Sequence, residues 1–110
     1  MKKLILLLCL AACGKSDKSL GSCSQLFYCI DLTDTTGDQA LDKKSARYVC
    51  DSYSGSYSDK TCDEVVTNEF VGSCALKPLD GIQQIYRFFM VDPASVEPAC
   101  KKAHGTYSKS

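Results

Sequence analysis

Asp42-Lys43-Lys44-Ser45-Ala46-Arg47-Tyr48-Val49-Cys50-Asp51-Ser52-Tyr53-Ser54-Gly55-Ser56-Tyr57-Ser58 is answered, fifty residues later, by Asp92-Pro93-Ala94-Ser95-Val96-Glu97-Pro98-Ala99-Cys100-Lys101-Lys102-Ala103-His104-Gly105-Thr106-Tyr107-Ser108. Six of the seventeen ungapped positions are identical, a Cys and a Gly among them. Both copies also make the same physical sense. Ala46, Val49, Cys50 and Tyr53 recur at i, i+3, i+4 and i+7, as do Val96, Ala99, Cys100 and Ala103, which is one face of a helix. Ser45 and Ser95 stand where N-caps belong, with Asp42 and Asp92 near the positive helix end. Gly55 and Gly105 stand where a left-handed C-terminal residue belongs. With Ser95 as cap, Pro98 falls in the first turn, where a missing N–H costs no intrahelical bond. Each copy therefore predicts a short amphipathic helix, a glycine stop and a brief strand.

Upstream of the second copy, Gln84-Ile85-Tyr86-Arg87-Phe88-Phe89-Met90-Val91 has the aromatic and branched composition of a strand. Gly72-Ser73-Cys74-Ala75-Leu76, then Pro78 and Asp80-Gly81, predicts its hairpin partner and turn. Leu26-Phe27-Tyr28-Cys29-Ile30-Asp31-Leu32 is the matching strand of the first copy. Val65-Val66 and Glu69-Phe70-Val71 suggest a short edge strand in the connector. The expected fold is α+β, a small disulfide-rich domain of two diverged strand-helix-strand units, spanning residues 23–61 and 62–110.

At 110 residues and 12.0 kDa, the chain has room for one small domain, which excludes large scaffolds such as a barrel or dinucleotide-binding enzyme. Thirteen basic residues balance thirteen acidic ones, with no long basic run, so nucleic acid is not an expected partner. A 45% hydrophobic, 24% charged composition is that of a folded chain rather than a disordered one. Eight cysteines in so short a chain indicate an oxidising compartment.

Met1-Lys2-Lys3 supplies a positive start, and Leu4-Ile5-Leu6-Leu7-Leu8-Cys9-Leu10 an apolar run. Ala11 and Ala12 complete the pattern of an export signal, and the run is about half the ~20 residues a spanning helix needs. Leu10-Ala11-Ala12-Cys13, followed by Gly14, resembles the lipobox of bacterial lipoproteins. The resemblance covers the first fourteen residues. It implies cleavage before Cys13 by signal peptidase II, a diacylglyceryl group on the Cys13 thiol, and an acylated amino terminus with palmitate-like chains. Residues 1–12 are then a lipoprotein signal peptide and Cys13 is the first mature residue. Several acyl chains on one residue make attachment stable, whereas one alone is marginal. In enterobacteria, an Asp after the lipidated Cys marks inner-membrane retention, and Gly14 is not Asp. In some other bacteria a Lys-Ser pair such as Lys15-Ser16 marks it, so the two rules point apart. The expected location is the cell envelope, with the outer membrane favoured over the inner.

Gly14-Lys15-Ser16-Asp17-Lys18-Ser19-Leu20-Gly21-Ser22 is small, polar and aperiodic, and with Cys13 it forms an expected flexible tether over residues 13–22. Without the signal, 11 basic residues face 13 acidic ones, a formal charge of −2. Cys23, Cys29, Cys50, Cys62, Cys74 and Cys100 remain, an even set that reads as three disulfides with 15 possible connectivities. No Cys-x-x-Cys pair supports a redox or zinc site. Spacing favours the local pairs Cys29–Cys50 and Cys74–Cys100, leaving Cys23–Cys62.

His104, the lone histidine, suits a cation at the end of a helix, and no nucleophile motif accompanies it. No catalytic residue is therefore expected. Asp31, Asp34, Asp38 and Asp42 surround Gly37, but the calcium-loop spacing and its closing Glu are missing, so a solvated turn is expected and no metal or cofactor. Tyr53-Ser54-Gly55-Ser56-Tyr57-Ser58 has the composition of adaptable binding loops, which makes Tyr53, Tyr57 and the repeated Tyr107 candidate contact residues. Arg87, in an otherwise apolar strand, is either an edge residue or half of a buried ion pair. Lys101, Lys102 and Lys109 read as solvated. The expected function is a non-enzymatic, lipid-anchored envelope module whose partners are membrane lipid, through Cys13, and another protein. The alternative is an inhibitor of periplasmic or host hydrolases, because a rigid cysteine-rich loop binds with little ordering cost.

Overall fold

The computed structural model describes residues 18–36, 42–79 and 81–109. Its elements are β1 (Lys18–Ser24), β2 (Tyr28–Asp34), α1 (Lys43–Ser52), β3 (Ser56–Ser58), α2 (Cys62–Val65), β4 (Phe70–Ala75), β5 (Ile82–Phe89), α3 (Pro93–Lys102) and β6 (Thr106–Ser108). All six strands join one antiparallel sheet in the order β3-β1-β2-β5-β4-β6. That order reads alike from either edge about the central β2–β5 ladder. One row across the sheet runs Tyr57, Cys23, Ile30, Tyr86, Cys74, Tyr107. The fold is a small, disulfide-rich α+β domain.

Side chains in one row share a face, and neighbours along a strand alternate between faces. On one face α1 packs over β1 and β3, and α3 packs over β4 and β6. Leu20, Ile30, Leu32, Ala46 and Ile82 form the core beneath α1. On the opposite face the single-turn α2 lies against β1 and β2, where Phe89 and Cys62 are buried with Val65, Val66 and Phe70 packed around them. Three disulfides fasten the helices to the sheet: Cys23–Cys50 holds α1, Cys29–Cys62 holds α2 and Cys74–Cys100 holds α3.

The expected pairing Cys74–Cys100 forms; the expected Cys29–Cys50 and Cys23–Cys62 exchange partners. Strand alternation explains the exchange. Cys23 is level with Ile30, so it shares the α1 face with Ile30, and the adjacent Cys29 points the other way, toward α2. Lys18–Ser22, expected as tether, belongs to β1 instead, an inner strand with Leu20 and Ser22 fully buried. The signal segment 1–12, Cys13 and tether residues 14–17 lie outside the described residues.

Helix ends also differ from expectation. The N-caps are Asp42 and Asp92, whose carboxylates accept the N–H groups of Ser45 and Ala94, so each helix starts earlier than a serine cap would place it. Pro98 consequently sits inside α3 rather than in its first turn. The left-handed residues at the two helix stops are Ser54 (φ 58°) and His104 (φ 62°), each one position before the glycine. The connector forms no edge strand, because Phe70 and Val71 open β4, which is flanked by β5 and β6.

Candidate functional site

Alternation places Tyr86 and Phe88 of β5 on the α1/α3 face, and the β2–β5 register sets Tyr28 level with Phe88. Ring centroids are 5.3 Å apart for Tyr28–Tyr86, 5.8 Å for Tyr28–Phe88 and 6.4 Å for Tyr86–Phe88. Such separations suit mutually tilted or offset rings. These three half-buried rings floor a cleft of about 310 Å³ that runs along the inner flank of α3. Ala99 and Ala103, one helical turn apart, form its wall, and Leu76 and the Cys74–Cys100 bridge close its base.

Small side chains open this cleft. Val49 and Tyr53 hold the places on α1 that Ala99 and Ala103 hold on α3. Tyr53 is the C-cap of α1 (φ −94°, ψ 4°), and Ala103 is the C-cap of α3 (φ −84°, ψ 3°). Burial, followed by the neighbouring Tyr53 and Tyr28, raises the Tyr86 phenol above its usual range. Tyr53 is not part of the lining, and on the α3 side Ala99 and Ala103 border the floor with methyl groups. No lining residue is charged. The cleft is equipped to hold an apolar group through shape and ring contact.

None of the expected contact residues Tyr53, Tyr57 and Tyr107 lines this cleft. The Tyr57 hydroxyl donates to the Leu20 carbonyl at 2.7 Å, and burial raises its pKa. Tyr107 occupies the equivalent place in the β4–β6 pair, packed where a side chain on Gly72 would otherwise go. Both are edge-strand rings that seal the sheet. His104 lies just past the C-cap Ala103 rather than in the last turn, its N–H donating to the Lys101 carbonyl at 3.0 Å. The aspartates do not converge: Asp31 faces α2, Asp34 is buried and accepts from Thr36, and Asp42 caps α1. Asp38 lies outside the described residues. Among the described residues no group of His, Cys, Asp or Glu could hold a metal ion.

Arg87 resolves to the ion-pair alternative. Its guanidinium lies 3.4 Å from Asp31 and 3.1 Å from Asp63, with the Phe70 ring 4.2 Å away. Asp31 also accepts the Cys62 N–H at 2.8 Å, so this network docks α2 on the sheet. Tyr28, Tyr86 and Phe88 were not expected as a site, since strand composition alone makes them core. A second apolar surface lies at the β1–β2 turn, where Leu26 is 77% exposed and Phe27 44%. Phe27 accepts the Phe89 N–H, which brings Met90, 64% exposed at φ 60°, to the same end of the sheet.

No protein-family model, curated protein or solved structure matches this chain.

Proposed function

We propose that the chain is a bacterial lipoprotein, anchored through acylated Cys13, whose folded domain is a non-enzymatic interaction module of the cell envelope. The observation that carries the reading is the cleft of about 310 Å³ beside α3, floored by Tyr28, Tyr86 and Phe88 and free of charged lining. Open, mostly apolar concavities of this size are the usual form of a binding site. Three crosslinks in so small a domain support a role outside the cytoplasm. No helix among the described residues is long and apolar enough to cross a membrane. The near-mirrored sheet order supports descent of the two halves from one strand-helix-strand unit.

Two measurements test the proposal together. The intact mass of the membrane-extracted protein, reduced and unreduced, is expected to lack residues 1–12, carry an acylated Cys13 and contain three bridges. A photoreactive residue at position 88 is expected to crosslink the native partner in membranes, and one at exposed position 102 to do so less. An unprocessed N-terminus sinks the anchor, and crosslinking indifferent to position sinks the cleft.

A second reading, as a hydrolase inhibitor, draws on the β1–β2 turn. Cys23 and Cys29 flank Leu26 and Phe27, and each is bridged to a helix, so two exposed apolar side chains ride on a stiff loop. Such a loop loses little freedom on binding. Inhibition of an envelope hydrolase that Leu26→Asp abolishes and Phe88→Ala spares would favour this reading.

A further inference from the structure

We infer that the cleft beside α3 receives one aromatic side chain with an adjacent carboxylate, presented by a peptide segment of a partner protein; this rests on the binding-module reading and names what the module binds. The α1 half of the domain shows what the cleft would accept. Tyr53 and Ala103 share a C-cap backbone within 10° in φ and 1° in ψ, and each precedes a left-handed residue and a glycine. On α1 this position carries a phenol; on α3 the same backbone position ends at a methyl group, and the cleft lies there. The α3 position thus lacks the ring that the equivalent α1 position carries. Its 310 Å³ is at the small end for ligand sites, room for one ring and its neighbours rather than an extended ligand.

Charge complementarity sets the flanking group. Ala99, Lys102 and Ala103 fall at i, i+3 and i+4, so Lys102 shares the cleft-facing side of α3. Lys101 is engaged by Glu97 at 3.2 Å, whereas Lys102 is exposed and makes no ion pair with a described residue. Lys77, also exposed, directly follows the lining residue Leu76. Two cations beside an uncharged aromatic floor favour an aromatic residue flanked by Asp or Glu, or one next to a free C-terminus. They disfavour one flanked by Lys or Arg.

The chain contains no tryptophan, so a peptide carrying one supplies the only indole in the sample. The acylated full protein in detergent micelles is titrated against acetyl-Gly-Asp-Trp-Asp-Gly-amide and its Lys-Trp-Lys counterpart, with empty micelles as blank. The acidic peptide is expected to show a saturable blue shift and at least about tenfold tighter binding than the basic one, a difference two charge contacts can supply. Ala103→Tyr, which rebuilds the Tyr53 arrangement, abolishes binding; Ala103→Ser retains it, and circular dichroism checks that both variants are folded. Lys102→Glu narrows or reverses the preference. Absence of binding by the acidic peptide, or binding unchanged in folded Ala103→Tyr, overturns the assignment, and equal affinity for both peptides overturns the carboxylate preference. A native partner that still crosslinks at position 88 after the peptides fail would leave the module reading standing without this specificity.

Discussion

Gly105 lies against the Sγ of Cys74 so closely that a Cβ at position 105 would collide with the sulfur, and Gly55 stands in the same relation to the Sγ of Cys23. Neither glycine has a positive φ; each is required by the bridge it passes. Gly105→Ala is expected to destabilise the fold by about 2 kcal/mol, the scale of overpacking around a sulfur that cannot move aside. In a Cys74→Ala, Cys100→Ala background the penalty should fall to about 1 kcal/mol, because the nearest obstruction is gone and only the Leu76 side-chain end and the Ala75 carbonyl still crowd the site. Urea unfolding of the four proteins closes the cycle, and an undiminished penalty would assign the glycine to backbone conformation instead.

Arg87 is the one cation held by the α2 face of the central ladder, among the described residues, and its removal should strand Asp31. Both side chains are largely covered, at 23% and 19% exposure. Arg87→Leu is expected to cost about 2 kcal/mol, below the roughly 3–5 kcal/mol of a fully buried broken pair. Adding Asp31→Asn should recover part of that loss, since Asn can still accept the Cys62 N–H. Chemical denaturation measures both, and no recovery would locate the cost in lost packing on Phe70.

Non-reducing digestion should yield peptides joined as Cys23–Cys50, Cys29–Cys62 and Cys74–Cys100. Replacing Cys29 and Cys62 by Ala should cost roughly 4 kcal/mol, from the closed loop no longer restricting the unfolded chain. Amide exchange should then rise first in Cys62–Val65, with α1 and α3 still protected. Equal loss of protection across all three helices would contradict α2 as a separately fastened element.

Alkali should find the buried phenols late. Burial holds Tyr57 and Tyr86 above the ordinary tyrosine value, so folding favours their protonated forms. That contribution is complete below a pH of about 10 and disappears as pH rises through the folded-state values. Phenolate absorbance should therefore lag behind that of the unfolded chain, and Tyr86→Phe should remove one late-titrating group. Simultaneous ionisation of all six tyrosines in the folded protein would contradict this.

The helices and β5 were legible because their patterns are local: buried Ala46 and Cys50 recur as Val96 and Cys100, and aromatics crowd Tyr86–Phe89. β1 was not. Its residues are small and polar because Gly21 packs under Tyr57 and Ser22 lies in the middle of the sheet, so nothing greasy announces a strand. Yet Gly21-Ser22-Cys23 repeats as Gly72-Ser73-Cys74 at a spacing of fifty-one, one residue out of step with the main repeat. That match equates Cys23 with Cys74 and would have fixed its bond to Cys50. The cleft has no such signature. It arises from two alanines set against rings brought from separate strands, and only tertiary structure makes a missing side chain visible.

β1 begins at Lys18, pairs along its length with β2 and, from Ser22 to Ser24, also with β3. On the proposed Cys13 anchor, a tug on the N-terminal side meets the β2 ladder first and the β3 ladder from Ser22 onward. Beyond Cys23 the strain passes through sulfur into α1. Under the proposed anchorage, pulling on the N-terminal side draws on a crosslinked core and not on a loose end.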